Sequence, residues 1–148
     1  MGHANRLDAK DRKIIEILQE DSRRSLRDIA AAKAVNLSPS SVRNRIARLE
    51  EEGFIRKFTI DVDYRKMGYE IQVIALITSK PGSSDALYTK LRSFTEIDIV
   101  YSTAGPSNFM ALILVKDMQS LSTFITTQLE TIDGIEKIET LFIIPRNE

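Results

Sequence analysis

SPSSVRNRIARLEEEGFI, residues 38–55, decides the fold. Ser38 is a helix N-cap, and Pro39 takes the first helical position, where its missing N–H would have had no partner. Stepping about 100° per residue from Val42 places Ile46 and Leu49 within about 40° of it, so these three form one apolar stripe facing a core. Ser40, Asn44 and Ala47 fall on the opposite side. Arg43 lies at one edge of that strip, with Ser41 and Arg48 at the other, and Arg45 sits between Arg48 and the apolar stripe, where it faces DNA or braces the helix against a neighbour. Gly53 stands where a C′ glycine ends a helix.

A face that is small and polar in the middle and basic at its edges suits a DNA major groove. Short side chains let the backbone approach base edges, and the arginines reach phosphate or guanine. An ordinary amphipathic helix with a solvated basic face has the same pattern, so the flanking sequence has to separate the two. Upstream, Asp8 precedes Ile14, Ile15, Ile17 and Leu18, a first helix with Asp11 also favouring its N-terminus. Ser25 then caps a short second helix carrying Leu26, Ile29 and Ala30, with Asp28 as an acidic variant of the capping box and an end near Lys33 or Ala34. Asn36 and Leu37 make the turn into Ser38. Nine basic residues against four acidic ones lie between Ser22 and Lys57, including Arg23, Arg24 and Arg27. A short helix, a brief turn and a serine-capped basic helix make a helix-turn-helix with a DNA-binding role the better reading. Its DNA-facing candidates are Ser38, Ser40, Ser41, Arg43, Asn44, Arg45 and Arg48. Downstream, FIRKFTIDVDY is β-rich and predicts a wing beginning at Ile55, with Arg56 and Lys57 either on the DNA backbone or on a solvated edge. The expected domains are a winged helix-turn-helix over 1–60, a hinge over 61–70 that includes YRKMGY, and a second domain over 71–148.

That second domain reads as strand (71–79), helix from Asp85 with Leu87, Leu91 and Phe94 at helical spacing, strand (97–103), turn and strand (109–115). A helix capped by Asp117 and broken by Gly134, and a last strand, complete it. The order is βαββαβ, a ferredoxin-like sandwich, so the fold class is α+β. Helices on one face leave the other face of the sheet bare, although its strands are apolar on both sides. The bare face predicts a homodimer, which would present two recognition helices to a palindromic DNA site.

The 148 residues carry zero formal net charge, but residues 1–66 hold 15 Lys+Arg against 11 Asp+Glu while the remainder is acidic, so the basic half is the one suited to a polyanion. The chain has no cysteine and one histidine, His3, which gives no disulfide framework, no conventional zinc cluster and no thiol chemistry. No glycine-rich phosphate loop or nucleophile elbow appears, Glu50, Glu51 and Glu52 read as a solvated helix end, and no cofactor is implied. The polar start and the absence of a long apolar run predict a cytoplasmic protein.

LDAKDRKIIEILQEDSRRSLRDIA, LSPSSVRNRIARLEEEGFIRKFTIDVDYRKMGY and YSTAGPSNFMALILVKD together resemble the Lrp/AsnC, or feast/famine, family of transcriptional regulators over nearly the whole chain. The resemblance implies a winged helix-turn-helix reader joined to a ferredoxin-like regulatory (RAM) domain, dimers assembling further, often to octamers, and a small effector, commonly an amino acid, bound between dimers. It assigns the effector loop to Thr103, Ala104, Gly105, Pro106, Ser107 and Asn108, with Thr140 as a weaker candidate. The family commonly has an aspartate where this chain has Asn108. A carboxylate there pairs with an ammonium, whereas an amide offers a neutral hydrogen bond. A β-turn using Gly, Pro and Asn for backbone reasons is the alternative for that stretch. Two other functions share parts of this pattern. One is a ligand-independent architectural DNA-binding protein, and the other is an enzyme like the siroheme-processing decarboxylases, which resemble the same two-domain architecture but depend on pocket histidines that this sequence lacks.

Overall fold

The computed structural model describes residues 7–145, which fall into two compact units that divide between Val62 and Asp63. His3 lies outside the described residues.

The first unit consists of helices α1 (Ala9–Glu20), α2 (Leu26–Ala31) and α3 (Pro39–Glu51). Local chemistry sets every start. Asp8 caps α1 in a full capping box, Ser25 accepts from the Asp28 N–H, and Ser38 accepts from the Ser41 N–H. The box expected at Ser25 differs in one arm, since the Asp28 carboxylate takes the Ser25 hydroxyl at 2.7 Å. Helix α2 stops at Ala31, earlier than the sequence suggested, because the Val35 and Asn36 N–H groups both turn back onto the Ala32 carbonyl. Asn36 takes the positive φ of 45° that this turn needs, a conformation asparagine tolerates better than most residues. Val42 and Leu49 are fully buried, and Val42 packs with Ile14, Ile29, Ala30 and Val35, with Ile46 against the same cluster. At the far end of α3, Gly53 has φ 78° and donates to the Glu50 carbonyl at 3.0 Å.

The expected wing strand is absent: residues 56–63 carry no strand, and Phe58 and Ile60 are exposed. A strand needs a ladder partner for its backbone groups, and here the Ser22 hydroxyl donates to the Thr59 carbonyl at 3.5 Å and the Met67 N–H of the following turn to the Asp63 carbonyl at 3.3 Å, neither of them a ladder bond.

The second unit is a four-stranded antiparallel sheet of order β2-β3-β1-β4, built from β1 (Ile71–Ser79), β2 (Ile97–Ser102), β3 (Phe109–Val115) and β4 (Ile135–Phe142). Helices α4 (Ser84–Leu91) and α5 (Met118–Phe124) cover one face. Helix α5 runs into a π-helical turn, Ile125–Leu129, that the sequence did not announce. The core lies between sheet and helices, where Val73, Ala75, Ile77, Ala111 and Ile113 meet Leu87, Leu91, Leu121, Phe124 and Leu129. Gly134 stands where α4 begins; a Cβ there would lie 3.2 Å from the Ser83 Cβ, so a larger residue would need the start of α4 to give by a few tenths of an ångström.

The other face has no helix. Its central rung runs Ile99, Leu112, Ile74, Leu141 across all four strands, and the next runs Tyr101, Met110, Leu76, Glu139. Ile99, Tyr101 and Leu141 are exposed. No helix among the described residues is long and apolar enough to cross a membrane.

Candidate nucleic-acid interface and effector loop

Helix α3 places Ser40, Arg43, Asn44 and Ala47 on its exposed side. Ser38 is committed to the cap, and its oxygen is shared with the Ser40 and Ser41 hydroxyls at 3.0 and 2.9 Å. The three arginines separate. Arg43 makes no hydrogen bond or ion pair among the described residues. Arg45 and Arg48 turn toward α1, where Arg45 Nη1 donates to Asp8 at 2.6 Å and to Asp11 at 2.8 Å, and Arg48 Nη2 donates to Asp11 at 2.7 Å.

Asp11 is the organising residue. Its side chain is 1% exposed, yet it accepts from both guanidinium groups and from the Asp8 N–H at 3.1 Å, so a buried charge has three donors around it. Burial pushes the Asp11 carboxyl up, and the bonds from Arg48, the Asp8 backbone and Arg45 more than offset it, holding it below the usual value. Bonds from Arg45 and from the Asp11 N–H bring Asp8 down to about 2. This clamp, with the Val42 and Leu49 stripe, fixes which face of α3 looks outward. Sequence reading treated Asp8 and Asp11 as helix-start acids only. The signal that could have found the clamp is a buried-side acid one turn into α1 together with Arg45 on the inner flank of α3.

A pH dependence follows. Both carboxyls have folded values below the ordinary 3.8, so they stabilise the fold above that value, and the stabilisation is lost as pH falls from 3.8 toward about 2. The thermal midpoint of the wild type should fall more steeply below pH 4 than that of Asp8→Asn, and less so in high salt because Asp8 is half exposed. Parallel profiles from pH 5 to 2 would refute the linkage.

In the second unit, the loop 103–108 closes on itself and on β1. The Thr103 N–H donates to the Asn108 carbonyl at 2.8 Å, and the Thr103 hydroxyl to the Ser107 carbonyl at 2.7 Å. Asn108 bridges to β1 twice, through its N–H to the Ile77 carbonyl at 2.9 Å and through Oδ1, which accepts the Ser79 N–H at 2.8 Å. Ala104 and Gly105 are exposed, while Ser107 is buried. Thr140 is not brought to the loop: it lies on β4 opposite Ala75, at the other edge of the sheet from β2, with no hydrogen bond to the loop residues.

With this geometry in place, comparison with known proteins is decisive. Residues 7–50 match the AsnC-type helix-turn-helix domain, and residues 72–146 match the Lrp/AsnC ligand binding domain. The chain belongs to the Lrp/AsnC family. It is 37% identical over 138 residues to the HTH-type transcriptional regulator FL11 of Pyrococcus furiosus, covering 93% of this chain and 89% of that protein. It also resembles the structure of LrpC from B. subtilis at 29% identity and a TM-score of 0.81, covering 97% of this chain and 98% of that one. A regulator from Neisseria meningitidis, solved with L-Met, shares the fold at 21% identity with a TM-score of 0.86, over 97% and 93% of the two chains. The winged helix-turn-helix plus ferredoxin-like reading is thus right in class, with the wing strand as the correction.

Proposed function

We infer that this protein is a sequence-specific, ligand-responsive transcriptional regulator that works as a homodimer in the cytoplasm and carries no catalytic activity. The family match and relatives such as the FL11 regulator support transcriptional regulation. The observation that carries the DNA-binding reading is the outward strip on α3: Ser40, Arg43 and Asn44 exposed, with Arg45 and Arg48 anchored behind them by Asp11. Asn44 reads a base edge, since an asparagine amide pairs bidentately with adenine. Arg43 takes phosphate, as do Arg45 and Arg48 with the nitrogens not spent on α1. Ser38 and Ser41 hold the helix start against the backbone. Residues 61–70 act as the hinge between the two units. The loop Thr103 to Asn108 is the effector site, with Thr140 entering only from another copy of the chain. The bare sheet face supports the dimer, and further assembly to an octamer is the family's pattern.

Asn44→Ala should relax preference at one base position, with discrimination there falling by about 1–3 kcal/mol. Arg43→Ala should weaken all sequences alike and lower the slope of affinity against salt by about one ion. Selection from random duplexes across a salt series checks both, and equal losses on every sequence for the two variants would refute the division. A short inverted repeat retained as salt rises would establish the regulator. Salt-sensitive binding without preference would instead indicate an architectural protein.

A further inference from the structure

Between α4 and the π-helical turn that extends α5, a groove of about 680 Å³ opens, within the size range of small-molecule sites. None of its lining residues belongs to the loop 103–108. The helix on one side gives up α geometry here: the Glu130 N–H reaches the Ile125 carbonyl at 2.9 Å, a departure that recurs at functional sites. The groove has an apolar lining in Leu87, which is buried, and in Phe94 and Ile132, which are half-buried. Its two charged residues differ in what they have left to offer. The Asp133 side chain is fully exposed and takes the Lys80 ammonium at 3.1 Å, so its charge is already met. The Lys90 ammonium makes no hydrogen bond or ion pair among the described residues and rests over the Phe94 ring, 5.1 Å from its centroid. The Ser83 hydroxyl and the Gln128 amide are also without a hydrogen bond among the described residues. Thr127 and Thr131, by contrast, spend their protons on carbonyls of their own helix, at 2.6 Å to Thr123 and 2.9 Å to Gln128.

We propose that this groove is a second ligand site, apart from the effector loop, and that it takes a small organic acid without an amino group. The ligand's carboxylate pairs with Lys90, with Ser83 and Gln128 as further hydrogen-bond donors, and its apolar body lies against Phe94 and Ile132. One uncommitted cation suits a monoanion, whereas a phosphate dianion would leave a charge unmatched. An amino acid would bring an ammonium group that no uncommitted carboxylate in the lining receives, at a cost in desolvation that an organic acid of the same shape escapes. The Phe94 ring holds the Lys90 ammonium at the groove rather than out in water, which prepares the cation for its partner.

The test is calorimetric titration of the full-length protein with phenylpyruvate, 3-phenylpropionate and 4-methyl-2-oxopentanoate, and with 3-phenylpropanamide as the uncharged counterpart, repeated for Lys90→Met and Ala86→Phe. Lys90→Met keeps an apolar stem over Phe94 and removes the charge, while Ala86→Phe, at an exposed lining position, fills the groove from α4. Neither residue is in the DNA-binding helix or the effector loop, so circular dichroism and ligand-free DNA affinity should match the wild type. At least one of the acids should bind the wild type, roughly tenfold more weakly to K90M, and not detectably to A86F. The amide should bind the wild type no better than it binds K90M. Equal binding of the acids to all three proteins would place them elsewhere and overturn the proposal, as would no binding by any acid. Weakening in K90M with none in A86F would put the carboxylate on an exposed lysine outside the groove and overturn it too. L-phenylalanine showing the same losses as phenylpyruvate would overturn the assignment to acids without an amino group. If A86F fails to fold, the comparison of acid and amide on K90M still decides whether Lys90 is the counter-charge.

Discussion

Asp11→Ala should cost the DNA-binding unit about 2–3 kcal/mol and, in addition, lower DNA affinity on all sequences. The carboxylate is buried and carries three hydrogen bonds, two of them from arginines. Removing one member of a buried charged network costs more than an exposed pair contributes, because the partners lose their counter-charge. The figure is below the largest such losses because Arg45 and Arg48 remain 27% and 38% exposed and water can solvate them. The consequence for binding comes from geometry. Freed from Asp11, both guanidinium groups swing, and α3 loses a charged tie to α1 that sets its rotation. Urea unfolding gives the stability change from the shift in midpoint, and fluorescence anisotropy with one duplex gives the affinity. A loss of stability without any loss of affinity at a temperature where the variant is folded would mean that the apolar stripe alone orients α3. Asp8→Ala, at an exposed cap, should cost only about 1 kcal/mol, and that contrast separates the buried carboxylate from the cap.

The clamp also shows where sequence reading stopped. Caps and breaks were legible because their physics spans three or four residues: Asp8, Ser25, Ser38, Pro39 and Gly53 all act where the pattern placed them. The βαββαβ order was legible for the same reason, each element announcing its own period. Arg48 was less legible. A helical wheel put it at the edge of the outer strip, and it is bonded to a residue 37 positions earlier whose burial no local pattern reveals. The wing failed for a related reason: β-rich composition in FIRKFTIDVDY describes what a strand prefers, while a strand exists only where another backbone completes it, and the described chain has none there. Asn108 was legible as a departure from the acid expected at that position. That its carbonyl oxygen would be occupied by the Ser79 N–H, fixing the amide as a donor, required the register of β1 against β3.

Leu112→Lys should convert the proposed homodimer to a monomer at micromolar concentration. Leu112 pairs with Ile74 on one side and Ile99 on the other, and Ile74 pairs in turn with Leu141, so Leu112 sits within an apolar rung that crosses the sheet on its helix-free face. On a separate chain the lysine stem can lie over these neighbours while the ammonium reaches water, so the fold tolerates the change. Against a second copy the ammonium is taken out of water with no acid in its rung to receive it. Even a few kcal/mol for each desolvated charge raises the dissociation constant more than a hundredfold. Sedimentation equilibrium reads the mass directly, and Thr127→Lys, on the exposed side of the π-helical turn, controls for added charge. A symmetric DNA site bound by two linked helices should then lose affinity far more than its half-site does, because the second contact is no longer intramolecular. An unchanged mass for Leu112→Lys would place the dimer contact elsewhere on the chain, with the bare sheet face left to a different partner.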